Sequence, residues 1–205
     1  MQLIVCARDD WHHEVHVRRP HGHAMTTSDS ELIDATLRGD RDAYGHLVRR
    51  YQDRLFNSMM HTVRCQAEAE DIVQDAFVRA YTKLGTFQGD SSFLTWLYRI
   101  AMNVAVTRRR RTHATMSLDV CAPSGGPQDR SEQPCEELDR QERMAQIQAA
   151  LAKLDQDQRA VLVLRAVDGW DYQTIAQVLG VNIDTVRSRL HRARRQLRQY
   201  LGPLV

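Results

Sequence analysis

Cysteine is scarce and widely spaced in this chain. Of its 205 residues only Cys6, Cys65, Cys121 and Cys135 carry thiols, and no two form a CxxC pair. That spacing argues against a zinc ribbon or a disulfide framework, and the expected state is four reduced thiols. Long apolar runs are missing too. Nothing approaches the roughly 18 to 20 consecutive apolar residues of a membrane span, and the opening stretch MQLIVCARDDWHH turns charged too soon for a signal peptide. The expected address is the cytoplasm, with no direct membrane insertion. No Gly-rich phosphate loop, HExxH or nucleophile–base constellation appears, so neither an enzyme nor a small-molecule substrate is expected. No cofactor is expected either. What remains, 42% apolar and 26% charged residues, suits one or two small globular domains.

Sustained β-branched alternation is also absent, whereas 3.6-residue apolar spacing recurs after residue 29, so the expected fold is all-α. DSELIDATLRGD reads as a short helix opened by Asp29 or Ser30 and closed at Gly39, followed by a longer one over RDAYGHLVRRYQDRLFNSMMHTV. AEAEDIVQDAFVRAYTKLG aligns Ile72, Val73, Ala76, Phe77, Ala80, Tyr81 and Leu84 on one face before Gly85 ends it. SSFLTWLYRIAMNVAVTRRRR follows with a serine cap and finishes in arginines that suit the negative end of a helix dipole. Helical spacing puts Phe93, Trp96 and Leu97 in the core and leaves Tyr98 open.

Residues 113–135 lose this periodicity and gather Pro, Gly and Ser, as a flexible linker does. The expected organisation is therefore a disordered extension over 1–28, a helical domain over 29–112, the linker, and a second helical domain over 136–205. In that second part Leu138, Ile147, Leu151 and Leu154 mark one helix. Asp155 and Gln158 are placed as a capping box for the next, which stops at Gly169.

Charge is strongly segregated although the net is only +2. Residues 129–142 hold six acids against two arginines, while residues 182–201 hold six arginines against Asp184. DYQTIAQVLG is a short helix capped by Asp171 and broken at Gly180, and Asn182 caps another two residues later: a helix-turn-helix. On that second helix Ile183, Val186, Leu190, Ala193 and Leu197 form one stripe. Arg187, Ser188, His191, Arg192 and Arg195 lie opposite. A major groove about 12 Å wide admits one such helix, whose outer face and first turns reach base edges. Arg189 flanks the stripe, and Arg194, Arg195 and Arg198 lie further along, suited to phosphate. With no stacking aromatics beside this face, an RNA-binding role is disfavoured.

LRAVDGWDYQTIAQVLGVNIDTVRSRLHRARRQL resembles the promoter-binding region of bacterial sigma-70 family sigma factors, in particular the small extracytoplasmic-function (ECF) group. AEDIVQDAFVRAYTKL resembles the same family's helix for binding core RNA polymerase, and FLTWLYRIAMNVAVTRRRR its segment that reads and opens the −10 element. The resemblance implies a non-enzymatic initiation factor whose partners are core RNA polymerase, promoter DNA and an anti-sigma factor. It implies −35 contacts from Arg187, Ser188, Arg189, His191, Arg192 and Arg195. It implies −10 contacts from the loop Gly89, Asp90, Ser91 and Ser92, from Asn103, and from Arg108, Arg109, Arg110 and Arg111. Polymerase contacts fall on Asp71, Gln74, Asp75 and Arg79. The sequence departs from the family at Thr107, where an aspartate is usual.

The alternative is a stand-alone helix-turn-helix regulator whose first half senses or dimerises; the two first-half motifs have no purpose there. Five of the nine histidines precede Met25. Their HHxxH and HxH spacings lack a helical frame and orienting carboxylates, so disorder is expected there rather than a metal site.

Overall fold

The computed structural model describes residues 27–114, 146, 147 and 149–201. Among them every regular element is helical: α1 (Asp29–Leu37), α2 (Arg41–Val63), α3 (Gln66–Lys83), a 3-10 turn (Leu84–Thr86), α4 (Phe93–Ala114), α5 (Gln156–Ala166), α6 (Tyr172–Leu179) and α7 (Ile183–Leu201). Residues 149–152 are helical as well. The N-terminal histidines, most of the expected linker and Leu138 lie outside the described residues.

The helix starts come from local polar side chains. Ser28, not Asp29 or Ser30, caps α1, because Ser28 and Glu31 form a reciprocal capping box. Asp29 is thereby left to accept from Tyr51 and Arg50 of α2. Asp40 caps α2 through the backbone N–H groups of Asp42 and Ala43, and the Ser92 hydroxyl accepts from the Thr95 N–H at the start of α4 (3.1 Å). Gly85 is not a left-handed stop; it sits inside the 3-10 turn into which α3 tightens. The expected box at α5 does not form either. Asp155 holds the cap position without a side-chain bond, and the Gln158 Oε1 is buried without a partner.

The first half packs α2, α3 and α4 around Leu47, Leu55, Met59, Ile72, Ala76, Leu97 and Ala101, all fully buried. Of the expected α3 stripe, Ile72, Ala76, Phe77, Ala80 and Leu84 are buried. Tyr81 is displaced to the rim, 43% exposed, its ring edge against Tyr44. Phe93 and Leu97 are core as expected, and Trp96 packs partly buried against Phe87 and Phe93.

Cys65 is buried at the N-terminal end of α3, and the other three cysteines lie outside the described residues.

The second half buries Val161, Val163 and Leu164 of α5, Ile175 and Val178 of α6, and Val186, Leu190 and Ala193 of α7. It does not stand apart from the first. α5 packs on α2 and α6 on α4, and the apolar side chains of both halves join in one continuous cluster.

Candidate nucleic-acid interface

Two helices and one turn build the basic face. The Asp171 carboxylate accepts from the Thr174 N–H (2.7 Å) and opens α6. Gly180 closes α6 in the left-handed conformation, φ 65°, where a Cβ would be strained. Two residues on, the Asn182 Oδ1 accepts from the Thr185 N–H (2.7 Å) and opens α7. The expected helix-turn-helix is therefore present with all three expected signals in place. Val186, Leu190 and Ala193 seat α7 on the core, while Ile183 is 37% exposed at the helix start.

The outward face of α7 presents Arg187, His191, Arg192 and Arg195 to solvent, with Ser188 partly covered. Arg187 is paired with Asp184 one turn earlier (2.9 Å). Both are well exposed, so the pair orients the guanidinium more than it stabilises the fold. Arg189 is set apart: it is turned back onto Asp157 of α5 (2.6 Å) and is only 25% exposed. Its geometry favours bracing α7 against α5 over reaching a base.

In the first half, the Gly89, Asp90, Ser91 and Ser92 loop runs along the surface before α4, with Gly89 at φ 78°. Asn103 is exposed on α4 three turns on. The Thr107 hydroxyl donates to the Asn103 carbonyl (2.7 Å), so it is spent on its own helix. The arginine block is divided: Arg110 and Arg111 are exposed, whereas Arg108 and Arg109 are partly buried. Arg108 bridges Asp71 and Asp75 of α3, at 2.8 Å each. Hydrogen bonding by Asp75 and Asp71 raises the Arg108 pKa against a smaller opposing effect of burial. Sequence reasoning assigned Asp71 and Asp75 to polymerase and Arg108 to DNA; the fold joins the three. Gln74 and Arg79 are exposed on the same helix.

A set of polar residues that sequence reasoning missed lies where the halves meet. The Asp168 side chain, 2% exposed, accepts from the Ser58 hydroxyl (2.6 Å) and the Tyr98 hydroxyl (2.8 Å). Arg54 pairs with its carboxylate (Nε to Oδ1, 3.5 Å) and donates to its main-chain carbonyl (3.1 Å). Burial raises the Asp168 pKa despite these donors. Trp170 stacks on Tyr98 with ring centroids 4.5 Å apart. Arg159, also buried, donates to the carbonyls of Thr62 (3.0 Å), Leu151 (2.9 Å) and Leu154 (2.8 Å). Burial, and then its neighbour Arg64, lower its pKa. No local signal marks the contacts between the halves, since Ser58, Tyr98 and Thr62 lie 70 to 110 residues from their partners. Among the described residues no group of His, Cys, Asp and Glu could hold a metal ion, and no helix is long and apolar enough to cross a membrane.

Comparison with known proteins follows these two halves. Residues 47–115 match the family model of Sigma-70 region 2, and residues 144–197 that of Sigma-70, region 4. The chain is 37% identical over 187 residues to the RNA polymerase sigma-H factor of Pseudomonas aeruginosa, covering 86% of this chain and 95% of that one. It is 36% identical over 189 residues to the ECF RNA polymerase sigma-E factor of Escherichia coli, covering 87% and 96%. Among solved structures it resembles CnrH in complex with the cytosolic domain of CnrY, with TM-score 0.61, 28% identity, and 84% and 96% coverage. It shares its fold with the sigma factor RpoE of Bartonella quintana, solved with the anti-sigma factor NepR, at TM-score 0.65, 23% identity, and 78% and 97% coverage. A basic helix-turn-helix and a polymerase-type helical half in one chain, each matching its own sigma region, make this protein a member of the ECF group of sigma-70 family sigma factors: a non-enzymatic factor that binds core RNA polymerase and promoter DNA to initiate transcription.

Proposed function

We propose that this factor reads a −35 element with α7, reads and melts a −10 element with the loop 89–92 and α4, and docks on polymerase with α3. The exposed row Arg187, His191 and Arg192 on the outer face of the helix-turn-helix carries the reading. Arg187, Ser188, His191 and Arg192 take the base edges, where an arginine pairs with guanine O6 and N7. Arg195 takes phosphate, and Arg189 serves by positioning α7. On the −10 side, Gly89, Asp90, Ser91, Ser92 and Asn103 line the place for a flipped base. An unstacked base costs a few kcal/mol, which Arg108, Arg109, Arg110 and Arg111 offset by drawing in the backbone. Asp71, Gln74, Asp75 and Arg79 form the polymerase contact, supported by the match of their helix to region 2.

The corresponding domains are 29–112 and 136–205, with 113–135 as linker and the factor acting in the cytoplasm. An anti-sigma partner is part of the proposal, on the precedent of RpoE bound to NepR. The stand-alone regulator is set aside, because region 2 is matched in full sequence order before region 4.

Run-off transcription with core polymerase, followed by sequencing of the transcripts, tests the reading. Arg187→Ala is expected to cost about 1–3 kcal/mol at one base pair of the −35 element and to relax preference there. Reversing Asp71 and Asp75 to lysine is expected to weaken binding to core polymerase. Transcripts with start sites unaltered by Arg187→Ala, or undiminished core binding by the double reversal, would contradict the respective assignment.

A further inference from the structure

We infer that Asp184 is a specificity-determining residue of the −35 contact: its carboxylate accepts a hydrogen bond from the N4 amino group of a cytosine in the base pair next to the guanine taken by Arg187. This rests on the promoter reading above and adds to it a base that an acid, rather than an arginine, selects.

Asp184 runs against the charge of its surroundings. It is the one acid of residues 182–201, which hold six arginines. Steps of four, three and four residues lead from Asp184 to Ser188, His191 and Arg195, so these share the outer face of α7, opposite the buried Val186, Leu190 and Ala193. The Asp184 side chain is 86% exposed there. It also stands in the first turn of α7, and the first residues of a recognition helix are the ones that meet base edges.

Helix stability does not account for it. The start of α7 is already capped, because the Asn182 Oδ1 accepts from both the N–H (2.7 Å) and the hydroxyl (2.6 Å) of Thr185. A first-turn carboxylate suits the helix dipole, and its pair with Arg187 lies at the surface, but both gains are small. Against them stands an anion on the face that approaches phosphates, where neutralising charge drives binding.

Reading a base gives the acid a use. Asp184 and Arg187 are one turn apart and joined at 2.9 Å. A guanidinium has five N–H donors, so Arg187 can turn to guanine O6 and N7 and keep Asp184 beside it. Side chains one turn apart start about 5–6 Å from each other, whereas base pairs stack about 3.4 Å apart. The carboxylate therefore falls on the neighbouring pair. In the major groove cytosine offers it the N4 donor alone, while adenine sets the N7 acceptor beside its N6 donor. Guanine and thymine offer acceptors, which a carboxylate repels. Asp184 thus works largely by rejection, lowering affinity for the wrong bases rather than raising it for the right one.

The test uses the full chain with core polymerase on the strongest promoter found by the transcript sequencing above. Its −35 element is randomised, and each template carries a barcode in the transcribed region. The wild type is expected to prefer cytosine in the pair next to the guanine whose preference Arg187→Ala removes. Asp184→Ala is expected to reduce that cytosine preference about tenfold, chiefly by raising output from templates with guanine or thymine there. Asp184→Asn keeps the size of the side chain should the alanine variant fail to fold. It is expected to move the preference toward adenine, whose N6 and N7 pair with an amide. Profiles of both variants equal to the wild type overturn the inference. A loss confined to the Arg187 guanine overturns it too, since Asp184 would then only support that arginine. An equal gain on every template does the same, leaving Asp184 as a repelling charge without a base. A wild type with no −35 preference, unaltered by Arg187→Ala, faults instead the promoter reading itself.

Discussion

At the scale of single residues the same side-chain type takes opposite roles according to what surrounds it. Arg187 is exposed and free to swing from Asp184, while Arg189, two residues on, is braced against Asp157. Arg159, on an apolar helix, is spent wholly on main-chain carbonyls. His61 illustrates a group whose charge the fold resists. Burial lowers its pKa below the usual 6.5, and the neighbouring Asp168 carboxylate only partly offsets that. A lowered folded-state pKa means that the unfolded chain takes up the proton first, so stability is lost as pH falls through the window below 6.5. Asp168 acts with the opposite sign: burial raises its pKa from 3.8, so its contribution grows as pH falls into the window above 3.8. Calorimetric melting between pH 7 and 5.5 is expected to show a declining Tm for the wild type and a flatter profile for His61→Gln. Parallel profiles would remove His61 from this account.

Elements are where the sequence was most legible, and the reason is range. Capping and periodicity involve residues within about four positions of one another, so Asp171, Gly180 and Asn182 could be read off directly. The errors are of the same range. Ser28 displaced Asp29 because a serine with a glutamate three residues later makes the reciprocal box, and Asp155 fails as a side-chain cap although its residue type suits one. The recognition helix accordingly depends on its start signal. Asn182→Ala is expected to cost about 1 kcal/mol, and Gly180→Ala a comparable amount, because φ 65° is strained for any side chain. Urea unfolding of both variants measures this. Midpoints equal to the wild type would mean that α7 is held by packing alone.

The whole molecule is decided by contacts that no local pattern encodes. The two halves share one apolar cluster, so they are expected to unfold in a single calorimetric transition. Arg159→Met leaves the Thr62, Leu151 and Leu154 carbonyls without their donor. With about 1–3 kcal/mol for an unsatisfied buried group and about 2–4 °C per kcal/mol at this size, Tm is expected to drop by roughly 2–12 °C. An unaltered Tm would mean that water replaces the guanidinium at no cost.

The chain by itself determined an all-helical protein, the helix-turn-helix, its basic outer face and the family to which both halves belong. The first two rest on the 3.6-residue period and on polar caps, which act between near neighbours, the basic face on the run of arginines, and the family on the resemblance of the motifs in both halves. Only the tertiary structure decided that Tyr98 is buried, that Arg108 meets Asp71 and Asp75, and that Asp168 closes on Ser58 and Tyr98. Those partners are 33 to 110 positions apart, and at such separations the packing of helices, not their sequence pattern, chooses which side chains meet.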